Sequence, residues 1–147
     1  MKKMRLLILV LLIFTTSGCL LGSVGKGYLT KVCTLDYETT DILRQEQITI
    51  VHKDNQVVTI ENKYTYRFKD NKYVFQSFKD SNASQIINLS KEAGIEIEKL
   101  VDNDKEYIII YKFDMGKIAD NIKETYQFQN EYHLQLRYLE DKGYICK

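Results

Sequence analysis

The sequence predicts an α+β domain, an antiparallel sheet in the order β-β-β-α-β-β-α with its helices packed on one face. Three observations predict it. Residues 45–68 alternate apolar and polar side chains about a central Asp54-Asn55 pair, residues 71–93 change to a helical spacing, and residues 95–113 return to strands. Helices gathered on one side of an antiparallel sheet bury that succession of apolar faces.

Val32 to Tyr37 form a short first strand carrying Cys33. In the second, Gln45 to His52, Ile48 and Ile50 fall on one face and Gln47 and Thr49 on the other. Lys53-Asp54-Asn55-Gln56 closes a two-residue hairpin, because Asp and Asn tolerate the positive φ such a turn demands. The third strand, Gln56 to Phe68, places Val58, Ile60, Tyr64, Tyr66 and Phe68 at even spacing. Between Asn71 and Ala93, Phe75, Phe78, Asn82, Ile86, Leu89 and Ala93 recur at spacings of three and four, which is one face of a helix. Asp80-Ser81-Asn82 threatens its continuity, since short polar side chains compete for backbone hydrogen bonds. Gly94 suits the C′ position that ends it. Ile95 to Val101 and Lys105 to Phe113 make a second hairpin across Asp102-Asn103-Asp104. Its stretch Tyr107 to Tyr111 is apolar on both faces and belongs in the middle of the sheet. Ile118, Ile122 and Tyr126 mark a short helix, and Tyr132, Leu136 and Leu139 another that stops near Gly143.

The N-terminus carries a location. Lys2, Lys3 and Arg5 precede an unbroken apolar run from Leu6 to Phe14, and Thr15 to Gly18 lead into Cys19. That is the layout of a secretory signal peptide, with an apolar part too short to span a bilayer. Small residues before a cysteine resemble the lipobox of bacterial lipoproteins, with Thr16 where Leu is preferred. This resemblance implies cleavage after Gly18 and a diacylglyceryl group on Cys19. The chain then divides into a signal peptide (1–18), a lipidated flexible tether (19–30) and a single α+β domain (31–147). A tether containing Gly22, Gly25 and Gly27 reaches on the order of 20 Å as a coil. Two or more acyl chains would hold the protein on the extracytoplasmic face of the cell membrane.

Composition narrows the function. The chain has 21 basic and 20 acidic residues. Three of the basic ones lie in the leader, so the remaining domain is slightly acidic and has no basic stripe, which argues against a nucleic-acid partner. An apolar content of 44% and eleven tyrosines argue against disorder. With Cys19 lipidated, only Cys33 and Cys146 are left, and an oxidising compartment permits them to pair. Closing so long a loop removes unfolded-state entropy worth about 4–5 kcal/mol in the chain-entropy model. Two alternatives stay open. One is a redox-active pair, which lacks a CxxC motif and a flanking base. The other is a Cys/Cys/His zinc site with His52 or His133, which lacks tight ligand spacing.

A lipoprotein signal, a Lys-x-Cys-Thr-Leu start at Lys31 to Leu35, three strands, a helix, a hairpin and a Cys146-Lys147 end together resemble the YehR-like family of small bacterial lipoproteins. Its Gram-positive members similarly have one cysteine near the mature N-terminus and one near the C-terminus. The resemblance covers most of residues 31–147 and implies a compact α+β lipoprotein domain. It carries over no catalytic or ligand-binding residue.

His52 and His133 are the only histidines, and no nucleophile motif accompanies them. Asp102-Asn103-Asp104-Lys105-Glu106 opens like a calcium loop, but Tyr107 and Phe113 stand where that loop needs Gly and a carboxylate. Turn formation is the plainer role for it. Tyr64, Tyr66, Tyr107 and Tyr111 fall on neighbouring strands. Left uncovered, they would form a face for an extended peptide or glycan; beneath a helix they are core. No cofactor or metal motif is present. The expectation is therefore a membrane-anchored, extracytoplasmic, non-catalytic binding or scaffolding module. Its partners would be the membrane, through its lipid, and an envelope protein, peptide or glycan. The alternative is an envelope thiol/redox or metal-binding protein using Cys33 and Cys146.

Overall fold

Burial of one face of a sheet organises this chain. The computed structural model describes residues 27–69 and 72–147; the segment read as a signal peptide, Cys19 and most of the segment read as a tether lie outside them. Strands β1 (Leu29–Glu38), β2 (Ile42–Lys53), β3 (Gln56–Phe68), β4 (Ile95–Asp102), β5 (Glu106–Asp114) and β6 (Ile145–Cys146) form one sheet in the order β4-β5-β3-β2-β1-β6. Every pairing is antiparallel. Helices α1 (Lys72–Leu89), α2 (Asp120–Tyr126) and α3 (Tyr132–Asp141) complete the domain. The α+β class stands, but the element order is β-β-β-α-β-β-α-α-β. The two C-terminal helices stand where residue spacing placed them, one more than the predicted order counted, and the chain then returns to the sheet through β6. Two residues are too few to write an alternating pattern, so β6 leaves no trace in the sequence. β1 also begins earlier than its pattern implied, inside the segment read as tether.

The β2–β3 hairpin turns on Asp54 and Asn55, at φ 48° and 63°, as a two-residue loop requires. Between Val51 and His52 the register shifts, so that His52 faces Val57 while Ile50 faces Ile60. The extra residue on β3 reverses the alternation. Val57 is therefore buried, not the Val58 that even spacing marked. The second hairpin turns on Asn103, whose Oδ1 accepts hydrogen bonds from the backbone N–H groups of Lys105 and Glu106.

Helix α1 runs unbroken through Asp80-Ser81-Asn82. The Ser81 hydroxyl and the Asn82 amide donate back to the carbonyls of Ser77 and Phe78, so these side chains fold onto the helix rather than break it. The helix ends at Leu89, short of Gly94. Gly94, at φ +77°, serves another end: a Cβ there would meet the Lys117 Cβ at 2.6 Å, so the turn into β4 packs directly on the chain before α2.

All three helices cover the same face. Phe78 of α1 packs on Tyr66 at 4.4 Å between ring centroids, Tyr126 of α2 on Phe113 at 5.1 Å, and Tyr132 of α3 stacks on His52 at 3.6 Å. Cys33, Ile48, Ile50, Ile60, Ile109 and Phe113 form the floor beneath them. The opposite face carries polar pairs across the strands, such as Thr49 with Glu61 and Glu61 with Lys112.

Candidate functional site

The helix-facing floor is apolar at one end only. Along β2, Ile50 and Ile48 are followed on the same face by Glu46 and Arg44. Along β3, Ile60 is followed by Asn62, Tyr64 and Tyr66. Register places Ile48 opposite Asn62, Glu46 opposite Tyr64 and Arg44 opposite Tyr66. A polar group in such a position costs free energy unless it finds partners.

Most of that cost is met within the cluster. Arg44 Nη2 lies 2.5 Å from Glu46 Oε1, and the Tyr144 hydroxyl donates to the other carboxylate oxygen. Both Glu46 oxygens are thus engaged, and the carboxylate orients two donors. The Arg44 guanidinium lies over the rings of Tyr64 and Tyr66, 5.3 and 5.7 Å from their centroids. Two atoms stay unsatisfied. Arg44 Nε and Asn62 Oδ1 are buried without a hydrogen-bond partner among the described residues, and Asn62 is only 4% exposed. Its amide reaches the Tyr64 hydroxyl at 3.4 Å, a long contact.

Two clefts open beside this cluster, and Arg44, Tyr64 and Tyr126 wall both. The larger, about 370 Å³, runs between the sheet and α3 and takes in Glu46, Asn62, Tyr138 and Tyr144. The smaller, about 240 Å³, runs between the sheet and α1 and takes in Tyr66, Tyr107, Tyr111, Asn82 and Gln85. The larger cleft is within the size range of small-ligand sites. A wider depression of about 490 Å³ on the opposite face is bordered by residues such as Thr49, Thr59, Glu61 and Lys112, and by none of the buried unpaired atoms.

Burial keeps the hydroxyls of the clefts protonated. It pushes Tyr64 up to about 12, helped by the charge of Glu46. Tyr66, Tyr107, Tyr111 and Tyr126 are raised for the same leading reason. Tyr144 is raised by burial and then by its bond to Glu46. At neutral pH every one of these groups is a donor.

The structure brings Tyr64, Tyr66, Tyr107 and Tyr111 together on one face, and that face is the covered one, which is the core reading of them and not the open-face one. Tyr107 is 3% exposed and Tyr111 7%, so the four do not make an open platform for a peptide or glycan. Their rings belong to the core or pack against it, and all four residues line the smaller cleft. Cys33 and Cys146 are opposite residues of β1 and β6, joined by a disulfide that closes 113 residues of sequence. The histidines stand at the far end of β2. His52 stacks on Tyr132, and burial holds its imidazole below its ordinary value. His133 lies within hydrogen-bond distance of the Asn55 side chain in the turn. Among the described residues no three His, Cys, Asp or Glu side chains are grouped to hold a metal ion. Cys19 lies outside the described residues.

No protein-family model and no curated protein matches the chain. One solved structure does resemble it. The NMR structure of a protein from Streptococcus pneumoniae TIGR4 superposes with a TM-score of 0.57, over 88% of this chain and 92% of that one, at 15% identity. The fold is shared. At that identity the likeness carries no residue of the site from one chain to the other.

Arg44, Glu46 and Asn62 are the residues that sequence reasoning missed. A signal was present: all three occupy core parity on their strands, interrupting the series Ile48–Ile50 and Ile60–Tyr64 with polar side chains.

Proposed function

We propose that this chain is a lipid-anchored, extracytoplasmic domain that binds a ligand at the Arg44 cluster without transforming it, within a family of small lipoproteins similar to the YehR-like one. Cys19 is its anchor, and Cys33 with Cys146 its staple. The observation that carries the binding role is the pair of unsatisfied buried atoms, Arg44 Nε and Asn62 Oδ1, at the wall of a ligand-sized cleft. A buried polar group with no partner costs stability, and a ligand that supplies one repays it. The hydroxyl and amide edges around them hold and orient; both oxygens of the one buried carboxylate are already taken. The anchoring role rests on the leader and Cys19.

The rival reading makes Cys33 and Cys146 a working thiol pair. Full burial of Cys33 supports the staple instead, since an attacking thiolate needs access. Intact mass of the protein extracted from its native membranes tests anchor and staple together. A species matching residues 19–147 plus diacylglycerol, gaining a pair of hydrogens on reduction, is expected. An unlipidated chain with free thiols in the native state would bring the redox reading forward.

A further inference from the structure

The smaller cleft, between the sheet and α1, has a chemical bias of its own. Arg44 is the one charged residue among those lining it. Glu46, which balances Arg44 on the other side, does not border this cleft; it is turned to Tyr144. The other polar residues lining it are Tyr64, Tyr66, Tyr107, Tyr111 and Tyr126, with Asn82 and Gln85.

The aromatic faces here are already used. Tyr64 meets Tyr66 at 6.3 Å and Tyr111 edge-on at 5.9 Å, while Tyr66 and Tyr107 both pack on Phe78 at 4.4 and 5.6 Å. These rings are packed largely on one another, and Tyr64, Tyr66, Tyr107, Tyr111 and Tyr126 bring five hydroxyl-bearing side chains to the lining of one small cleft. The Gln85 amide is bonded to the Tyr126 hydroxyl and fixes it. A guanidinium held over two rings, in a cleft lined by five protonated tyrosines, supplies donors to a small volume. Such a set matches a group that only accepts hydrogen bonds and carries negative charge.

We propose that the α1-side cleft is an oxyanion site, in which Arg44 and the hydroxyls of Tyr66, Tyr107 and Tyr111 hold a carboxylate or phosphate group of a small ligand. It deepens the binding role given above and rests on it. A carboxylate and a phosphate share the required chemistry, a compact set of acceptor oxygens with negative charge, and differ in geometry, so separate titrations distinguish them.

The test is a nitrogen-15 NMR titration of the full-length protein in detergent, following the arginine Nε–H signals. Sodium acetate, inorganic phosphate and the neutral polyol glycerol are the probes, at ionic strength fixed with chloride. Saturable shifts of the Arg44 signal with acetate assign a carboxylate ligand, and with phosphate a phosphate ligand; either supports the site. Arg44→Met lacks that reporter and is followed through the tyrosine ring signals instead; it weakens binding by about 10- to 100-fold, the worth of hydrogen bonds to a charged group. Tyr111→Phe keeps the ring and the fold and weakens it by about 3- to 10-fold. Lys112→Met, on the opposite face, leaves it unchanged. Saturation by glycerol alone would overturn the oxyanion assignment while leaving a binding role for the cluster. Absence of saturable shifts with every probe, or equal affinity in Tyr111→Phe, would overturn the site. Neither result bears on the anchor, which the intact mass reads independently.

Discussion

Two halves of the same sheet face follow opposite rules. At one end Cys33, Ile48, Ile50, Ile60 and Phe113 are buried and apolar, and they meet Leu139 and Ile122 from the helices. A few residues along the same strands, Arg44, Glu46, Asn62, Tyr64 and Tyr66 occupy equivalent positions and leave two buried atoms without partners, against the one, His52 Nδ1, beside the apolar half. Strand pairing and helix cover are the same in kind for both, while burial is less complete in the second, where Arg44 is part-exposed and Tyr64 and Tyr66 are half-buried. The apolar half is what stability selects; the polar half costs stability and therefore calls for another reason to persist. Ligand binding is the reason proposed here.

Substitutions should separate the halves by size of effect. In the apolar half, Phe113→Ala removes a fully buried ring that touches Tyr126 and Phe128 at 5.1 and 4.8 Å. It should cost about 3–5 kcal/mol in urea unfolding, and a loss under about 1 kcal/mol would break the comparison. Cys146→Ser opens the staple at the edge of that half. About 3 kcal/mol should be lost by the same measurement, together with the pairing of β6 to β1. In the polar half, Glu46→Gln strips Arg44 and Tyr144 of a shared carboxylate. Arg44 is part-exposed, so water recovers some of the interaction, and about 1–2 kcal/mol is expected.

Much of this fold was legible in the sequence. The Asp54-Asn55 turn announced the β2–β3 hairpin, the spacing from Phe75 to Leu89 announced α1, and the apolar run from Tyr107 to Tyr111 announced a central strand. The cluster was not legible. Glu46 and Asn62 share the parity of their strands' buried residues, but a polar residue at that parity reads equally well as the frayed end or break of an apolar face. Only the register, which sets Glu46 beside Tyr64 and Ile48 beside Asn62, brings them under the helices. Tyr144 is a similar case, since its partner Glu46 is 98 residues distant. The bulge at Val51/His52 misplaced Val57 because one inserted residue flips every later side chain.

The halves should also fail at opposite ends of the pH scale. His52 borders the apolar half, and burial holds its folded-state value below the ordinary 6.5. The unfolded chain takes up that proton first, so this contribution is present above about pH 6.5 and declines as pH falls below it. In the polar half the tyrosines are raised from 10.0, led by burial, with Tyr64 up to about 12. There the unfolded chain releases protons first, so stability is full below about pH 10 and is lost as pH rises beyond it. Tyrosinate absorbance during an alkaline titration checks this. Tyrosines of the cluster should ionise only as the domain unfolds; their ionisation in the folded state at ordinary values would show that their hydroxyls are not buried as described.

The most direct measurement replaces the polar half by an apolar one. A quadruple variant, Arg44→Met with Glu46→Leu, Asn62→Leu and Tyr144→Phe, removes the ion pair, both unsatisfied atoms and the hydroxyl that Glu46 accepts from, while keeping side-chain bulk. The account predicts a domain that unfolds at the same or higher urea concentration, by up to about 4 kcal/mol, and whose tyrosine ring signals no longer shift saturably with acetate or phosphate. A variant several kcal/mol less stable than the parent would contradict it, because the polar cluster would then be part of what holds the fold together.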